Sequence, residues 1–226
     1  MRIFITGDTH SDFLPIEYFC NDNKTTKEDL MIILGDAGVN YYNGKKDDEL
    51  KRYLNSFPIT FLLVRGNHEM RPEHITNNII KFYNNEVLLD NIASNIMYAQ
   101  DGSILTLNDK TFFVCGGAYS VDKYYRQLRG WNWFEDEQLS ESEKEIIYNN
   151  VPSSVDYVLT HTCPESDIPF ECFLDFIDQS TVDNGTEVFL ETIKQKIEFK
   201  KWYCGHWHYN CDKGKIEFLF HDIKEI

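Results

Sequence analysis

Eight short, predominantly apolar runs rich in Ile, Val, Leu and Phe constrain this 226-residue chain most: residues 2–6, 30–34, 59–64, 103–107, 111–115, 156–160, 201–204 and 216–220. Punctuated by Gly, Asp or Asn, they read as buried strands. Helical periodicity falls between them at residues 14–21, 47–56, 136–149 and 186–197, the third with Ser140 and Glu143 at capping-box spacing inside it. Strand and helix alternate through the first half, which predicts right-handed βαβ crossovers and a parallel sheet. Runs 103–107 and 111–115, separated by Asn108, Asp109 and Lys110, predict a hairpin and with it a second, mixed sheet. No repeat, low-complexity tract or Pro/Ser/Gly-rich linker interrupts the chain, so one α/β domain over residues 1–226 is expected.

The net charge of −15 repels polyanions, so stable binding of duplex nucleic acid is not expected without a local basic stripe. The densest basic stretch, Lys194, Lys196, Lys200 and Lys201, is diluted by Glu191 and Glu198 and reads as a solvated face. The six cysteines, at 20, 115, 163, 172, 204 and 211, form no CxxC pair and are expected to be reduced thiols. The apolar start is too short for a signal-peptide core and no run approaches membrane-spanning length, so the expected location is cytoplasmic, with no membrane partner. Oligomeric state is left open.

Polar residues able to bind metals fall at the carboxyl ends of these strands. Asp8 and His10 follow the first, Asp36 the second, Asn67 and His68 the third, His161 the run 156–160, and His206 and His208 the run 201–204. Loops leaving that edge of an open α/β sheet converge on ligands. Singly, each residue has a structural reading: Asp8 could cap a turn and His161 could be a hydrogen-bonded core histidine. Five clusters at five strand ends argue for a common site. Imidazole with carboxylate suits borderline transition metals rather than Mg²⁺ or Ca²⁺, and a carboxylate such as Asp36 can bridge two ions.

Five motifs, Asp8-Thr9-His10, Gly35-Asp36, Gly66-Asn67-His68-Glu69, His161 and Gly205-His206-Trp207-His208, occur in the order found in the calcineurin-like metallophosphoesterases, and the chain resembles that family from residue 1 to about 210. The resemblance implies two mixed β-sheets packed as a sandwich flanked by helices, a four-layer α/β fold. It implies two divalent transition-metal ions, Mn²⁺ first among Mn²⁺, Fe, Zn and Ni. Asp8, His10 and His208 would hold one ion and Asn67, His161 and His206 the other, with Asp36 bridging. His68 would protonate the leaving group, and Arg65, directly before the GNHE motif, looks like the phosphate-gripping arginine of the Ser/Thr protein phosphatase branch. The expected reaction is phosphoester hydrolysis by a metal-bridging hydroxide attacking phosphorus in line, with Asp36 and His68 as catalytic residues. A phosphomonoester substrate leads; the alternative is a phosphodiesterase acting on cyclic nucleotides or nucleic-acid ends, and a non-catalytic interaction scaffold is the third reading. Two positions depart from the pattern: Ser11 stands where many members have Gly, and Gly-Asp-Ala-Gly-Val-Asn at 35–40 lacks the later acidic residue.

Residues 116–134 read as a long loop in which Arg126 and Arg129 accompany Tyr119, Tyr124, Tyr125, Trp131 and Trp133. Arginine with aromatics suits a phosphate beside a planar group, and Arg126 is the expected substrate contact. Residues 163–185 read either as a lid or as a packed connection. Cys163 and Cys204 are expected to be buried thiols rather than ligands.

Overall fold

The computed structural model describes residues 1–173 and 177–226. Two sheets form the centre. The first contains β1 (Ile3–Thr6), β2 (Leu30–Leu34), β3 (Thr60–Val64), β4 (Ile79–Phe82), β5 (Asn85–Leu89) and β6 (Ile96–Tyr98). The second contains β7 (Ile104–Leu107), β8 (Lys110–Cys115), β9 (Tyr157–Thr160), β10 (Lys201–Cys204), β11 (Cys211–Lys213) and β12 (Ile216–Phe218), and β13 (Lys224–Glu225) returns to the first. Strand order is β13-β1-β2-β3-β6-β5-β4 in one sheet and β11-β12-β10-β9-β8-β7 in the other. Pairing is parallel along β1-β2-β3-β6 and β8-β9-β10-β12 and antiparallel at the margins, so both sheets are mixed.

The strands read as unbroken apolar runs because both faces are covered. Side chains alternate across a strand. Ile3, Ile5, Leu30, Ile32, Leu34, Leu62 and Val64 of the first sheet therefore meet Leu105, Phe112, Val114, Leu159 and Tyr203 of the second in one core between the sheets. The intervening Phe4, Met31, Ile33, Phe61 and Leu63 pack outward against Ile16 and Cys20 of α1 (Leu14–Asn23) and Leu54 of α2 (Lys45–Asn55). On the far side Phe113, Val158, Trp202 and Cys204 pack against Ile147 of α4 (Glu141–Asn150) and Phe189, Leu190 and Ile193 of α5 (Gly185–Lys196). The layers run helix, sheet, sheet, helix. Among the described residues no helix is long and apolar enough to cross a membrane.

The sequence reading needs four corrections. Residues 116–134 are not all loop: α3 (Lys123–Arg129) forms there, ended by Gly130 in the left-handed conformation at φ 66°. The helix expected over 136–149 starts at Glu141, and Ser140 is its N-cap, with its side chain and that of Glu143 forming a capping box. Residues before it are diverted, because the Asp136 and Gln138 carbonyls accept from Arg71 and Glu137 turns inward. Strands β4, β5, β6, β11 and β13 were not foreseen; β4 alternates exposed and half-buried residues at a sheet margin, and β6, β11 and β13 span three, three and two residues. The β4–β5 and β7–β8 hairpins each turn on two residues of positive φ, Tyr83-Asn84 (47° and 68°) and Asn108-Asp109 (49° and 60°), so Lys110 belongs to β8. Short 3₁₀ turns at Glu165–Asp167, Phe170–Cys172 and Gln179–Thr181 occupy the segment considered for a lid; its Asp175 and Phe176 lie outside the described residues.

Candidate metal centre

The carboxyl ends of β1, β2 and β3 meet those of β9 and β10 across the sandwich. Asp8 and Asp36 are buried, and each divides its oxygens between two tasks. Asp8 Oδ1 accepts the His206 backbone N–H at 2.8 Å and Asp36 Oδ1 accepts that of His68 at 2.8 Å. Their second oxygens face imidazoles. Asp8 Oδ2 lies 3.3 Å from His208 Nε2 and 3.6 Å from His10 Nε2, while Asp36 Oδ2 lies 3.4 Å from His68 Nδ1 and 3.7 Å from His161 Nε2. Three trios have ligand atoms mutually within 4.8 Å: Asp8-His10-His208, His10-Asp36-His68 and Asp8-Asp36-His161.

Backbone geometry produces this convergence at a local cost. His10, Asp36, His206 and His208 all have positive φ, between 45° and 67°, a region that non-glycine residues enter rarely and that Asp and His tolerate better than most. The glycines preceding the motif residues are needed for clearance. A Cβ on Gly66 would lie 2.0 Å from Asp36 Oδ1, and one on Gly205 would lie 2.4 Å from Asp8 Oδ1.

The donor set fits divalent cations. Asp8 Oδ2 is buried without a hydrogen-bond partner, a costly state for an isolated carboxylate oxygen. His10 Nε2 and His208 Nε2 converge beside it, 2.9 Å apart, two ring nitrogens able to act as ligands together with Asp8. His161, fully buried, donates from Nδ1 to the Leu34 carbonyl at 2.7 Å. In the neutral ring this leaves the Nε2 lone pair facing Asn67 Oδ1 at 2.8 Å, acceptor against acceptor. A cation between such groups satisfies all of them.

The electrostatics agree. Burial works to raise the pKa of both carboxyls, but His161 and His208 around Asp8, and His68 and His161 around Asp36, more than offset it and hold both below the ordinary value. Burial, reinforced by His161, depresses His206 to about 3, keeping a lone pair available. His206 packs edge-on against His161, with ring centroids 5.0 Å apart.

A sequence profile of the calcineurin-like phosphoesterases matches residues 1–210. The chain belongs to that family. A search of curated protein sequences gave no match. Together with the Asp and His cluster, membership of the calcineurin-like phosphoesterases makes this a metal-dependent phosphoesterase, of a family that works with two metal ions.

In this phosphoesterase the other expected residues divide. His68 sits at the rim, where Nδ1 faces Arg126 Nη2 at 3.0 Å and Nε2 lies 3.6 Å from Asp122 Oδ1. Burial disfavours charge on its ring, Asp36 and Asp122 outweigh burial, and its pKa stands above the ordinary value. Arg126 thus reaches the cluster, held by Asp122 at 2.7 Å and the Tyr41 hydroxyl at 3.1 Å. Arg65 does not serve as expected. Its side chain is 1% exposed, and its donors go to Asp101 Oδ2 (2.9 Å), the Glu137 carbonyl (2.6 Å) and the Gly116 carbonyl (3.3 Å), leaving no free fork to grip phosphate. Sequence reasoning missed Asp122, Tyr41, Ser120 and Glu137. Ser120 and Asp122 lie just before α3, inside the stretch read as loop, and none of the four belongs to a metal-ligand motif.

Proposed function

We propose that this chain is a dinuclear phosphomonoesterase, a phosphatase, in which Asp8, His10 and His208 hold one ion, Asn67, His161 and His206 the other, and Asp36 bridges. The observation that carries the reading is the pair of buried carboxylates, each with one oxygen tied to a backbone N–H and the other turned to imidazoles. The Asp8-His10-His208 trio supports the first ligand set, and Asp36's place in both other trios supports its bridging role. Mn²⁺ suits the mixed imidazole and carboxylate donors. Bound divalent ions supply Lewis acidity and lower the pKa of water near them.

The protein's own residues do the rest. Arg126 Nη2 can only donate, so His68 Nδ1 accepts and, in the neutral ring, the proton sits on Nε2. From Nε2, His68 would give that proton to the departing oxygen. Arg126, although paired with Asp122, holds its Nη2 at the rim beside His68, where its second hydrogen suits an unesterified oxygen of a phosphomonoester.

The test is hydrolysis of p-nitrophenyl phosphate and bis-p-nitrophenyl phosphate by metal-stripped protein refilled with Mn²⁺, run beside Asp36→Asn. Mn²⁺-dependent release from the monoester, absent in the variant, is expected. Faster release from the diester would replace the phosphatase with a phosphodiesterase, and silence on both with two ions bound would sink the reading.

A further inference from the structure

Behind the cluster lies a chain of buried polar groups that no motif accounts for. Glu137, Ser120 and Asn67 are all nearly inaccessible. Glu137 accepts three hydrogen bonds: from the Ser120 backbone N–H (3.1 Å, Oε1), the Ser120 hydroxyl (2.5 Å, Oε2) and the Trp133 indole (2.8 Å, Oε2). Ser120 Oγ in turn accepts from Asn67 Nδ2 at 2.9 Å, and Asn67 Oδ1 faces His161 Nε2 at 2.8 Å.

The direction of these bonds has a consequence. A hydroxyl has one hydrogen, and a carboxylate can only accept, so Glu137 takes the Ser120 hydrogen and leaves Ser120 Oγ as an acceptor. Only the NH₂ end of the Asn67 amide can then face Ser120. The opposite orientation would set Oδ1 against a filled lone pair on Oγ. It would also turn Nδ2 toward His161 Nε2, where an N–H···N bond would satisfy both groups and compete with a cation. We infer that Glu137 and Ser120 are positioning residues that lock the Asn67 amide with its oxygen toward the metal cluster, and so set the affinity of one of the two metal positions. Asn67 is thereby denied the hydrogen bond to His161 that would compete with a cation.

The inference rests on Asn67 being a ligand, as proposed above, and one titration tests the two separately. Metal-free protein is titrated with Mn²⁺ by calorimetry, with electron paramagnetic resonance following coupling between the ions. The wild type is expected to bind two ions; fewer than two would remove the ligand assignment itself. Ser120→Ala and Glu137→Gln should bind the first ion as the wild type does and the second roughly 10–100-fold more weakly, the scale of losing an outer-shell partner of a ligand. A further background separates orientation from general packing. Asn67→Asp presents two equivalent oxygens, so Ser120→Ala made in that background should cost no further affinity. Equal losses in both backgrounds, equal weakening of both ions, or wild-type binding by both single variants would overturn the relay.

Discussion

Replacing Arg65 with Met separates a phosphate-gripping arginine from a structural one. The guanidinium links four segments: the end of β3 that carries it, Asp101 after β6, Gly116 after β8, and Glu137 before α4. A Cβ on Gly117 would lie 2.7 Å from Nη2, so the chain is closed around the fork. Met fills the volume of the stem but leaves the Asp101 carboxylate and two carbonyls without their donor. Breaking a buried ion pair from one side costs about 3–5 kcal/mol. Asp101 keeps the Gly116 N–H at 2.5 Å and its side chain is 15% exposed, which puts the expectation at the lower end, about 3 kcal/mol. With a urea slope of about 2–3 kcal/mol per molar, the unfolding midpoint of the metal-free protein should fall by roughly 1–1.5 M. Arg65→Lys keeps the charge without the fork and should recover only part of this. With Mn²⁺ saturating and at temperatures where the variant stays folded, KM for a phosphomonoester should stay within about twofold of the wild type, since no Arg65 donor faces the cluster. An unchanged midpoint together with a KM raised tenfold or more would refute the burial argument and return Arg65 to the substrate.

Two further outcomes follow from the same coordinates. Gly66→Ala should weaken Mn²⁺ binding by roughly tenfold or more, because the new methyl must displace Asp36 Oδ1 from 2.0 Å, and unaltered binding in calorimetry would contradict the stated clearance. Asp29 is held at about 2 by its bond to Arg2, below the ordinary 3.8, so the stability it contributes is present in full above pH 3.8 and is lost as pH falls toward about 2. Asp29→Asn should accordingly flatten the dependence of unfolding free energy on pH between about 4 and 2, and an unchanged acid limb would dismiss the pair's role.

Much of the fold was legible because its central strands are covered on both faces. Strands such as β2, five consecutive buried apolar residues, have no competing reading once they alternate with helices. Apart from β5 (Asn85–Leu89), what failed to register was short or marginal. Strands β6, β11 and β13 are too brief to carry a period, and β4 sits at a margin where Ile79 is exposed. The capping box at Ser140 was visible, but the four residues before it, 136–139, kept helical spacing for another reason. Glu137 and Leu139 turn inward there to serve Ser120 and the helix-side core, and apolar periodicity does not distinguish that from a first turn.

The site divides along the same line. Residues at the carboxyl ends of parallel strands are found from sequence because strand position and chemical type coincide there, and Asp8, Asp36, Asn67, His161 and His206 share that place. Residues that orient them obey no such rule. Glu137 lies 70 positions from Asn67 in sequence, reaches it only through Ser120, and sits in a segment whose local signals point to a helix. Arg65 shows the reverse error: it stands beside a motif, and proximity in sequence suggested a role that burial denies. Yet its bond to the Glu137 carbonyl places Arg65 beneath the same relay that faces Asn67 toward the cluster. An arginine next to the metal-site motif thus reaches the metal site indirectly, by fixing the backbone of the residue that fixes the ligand.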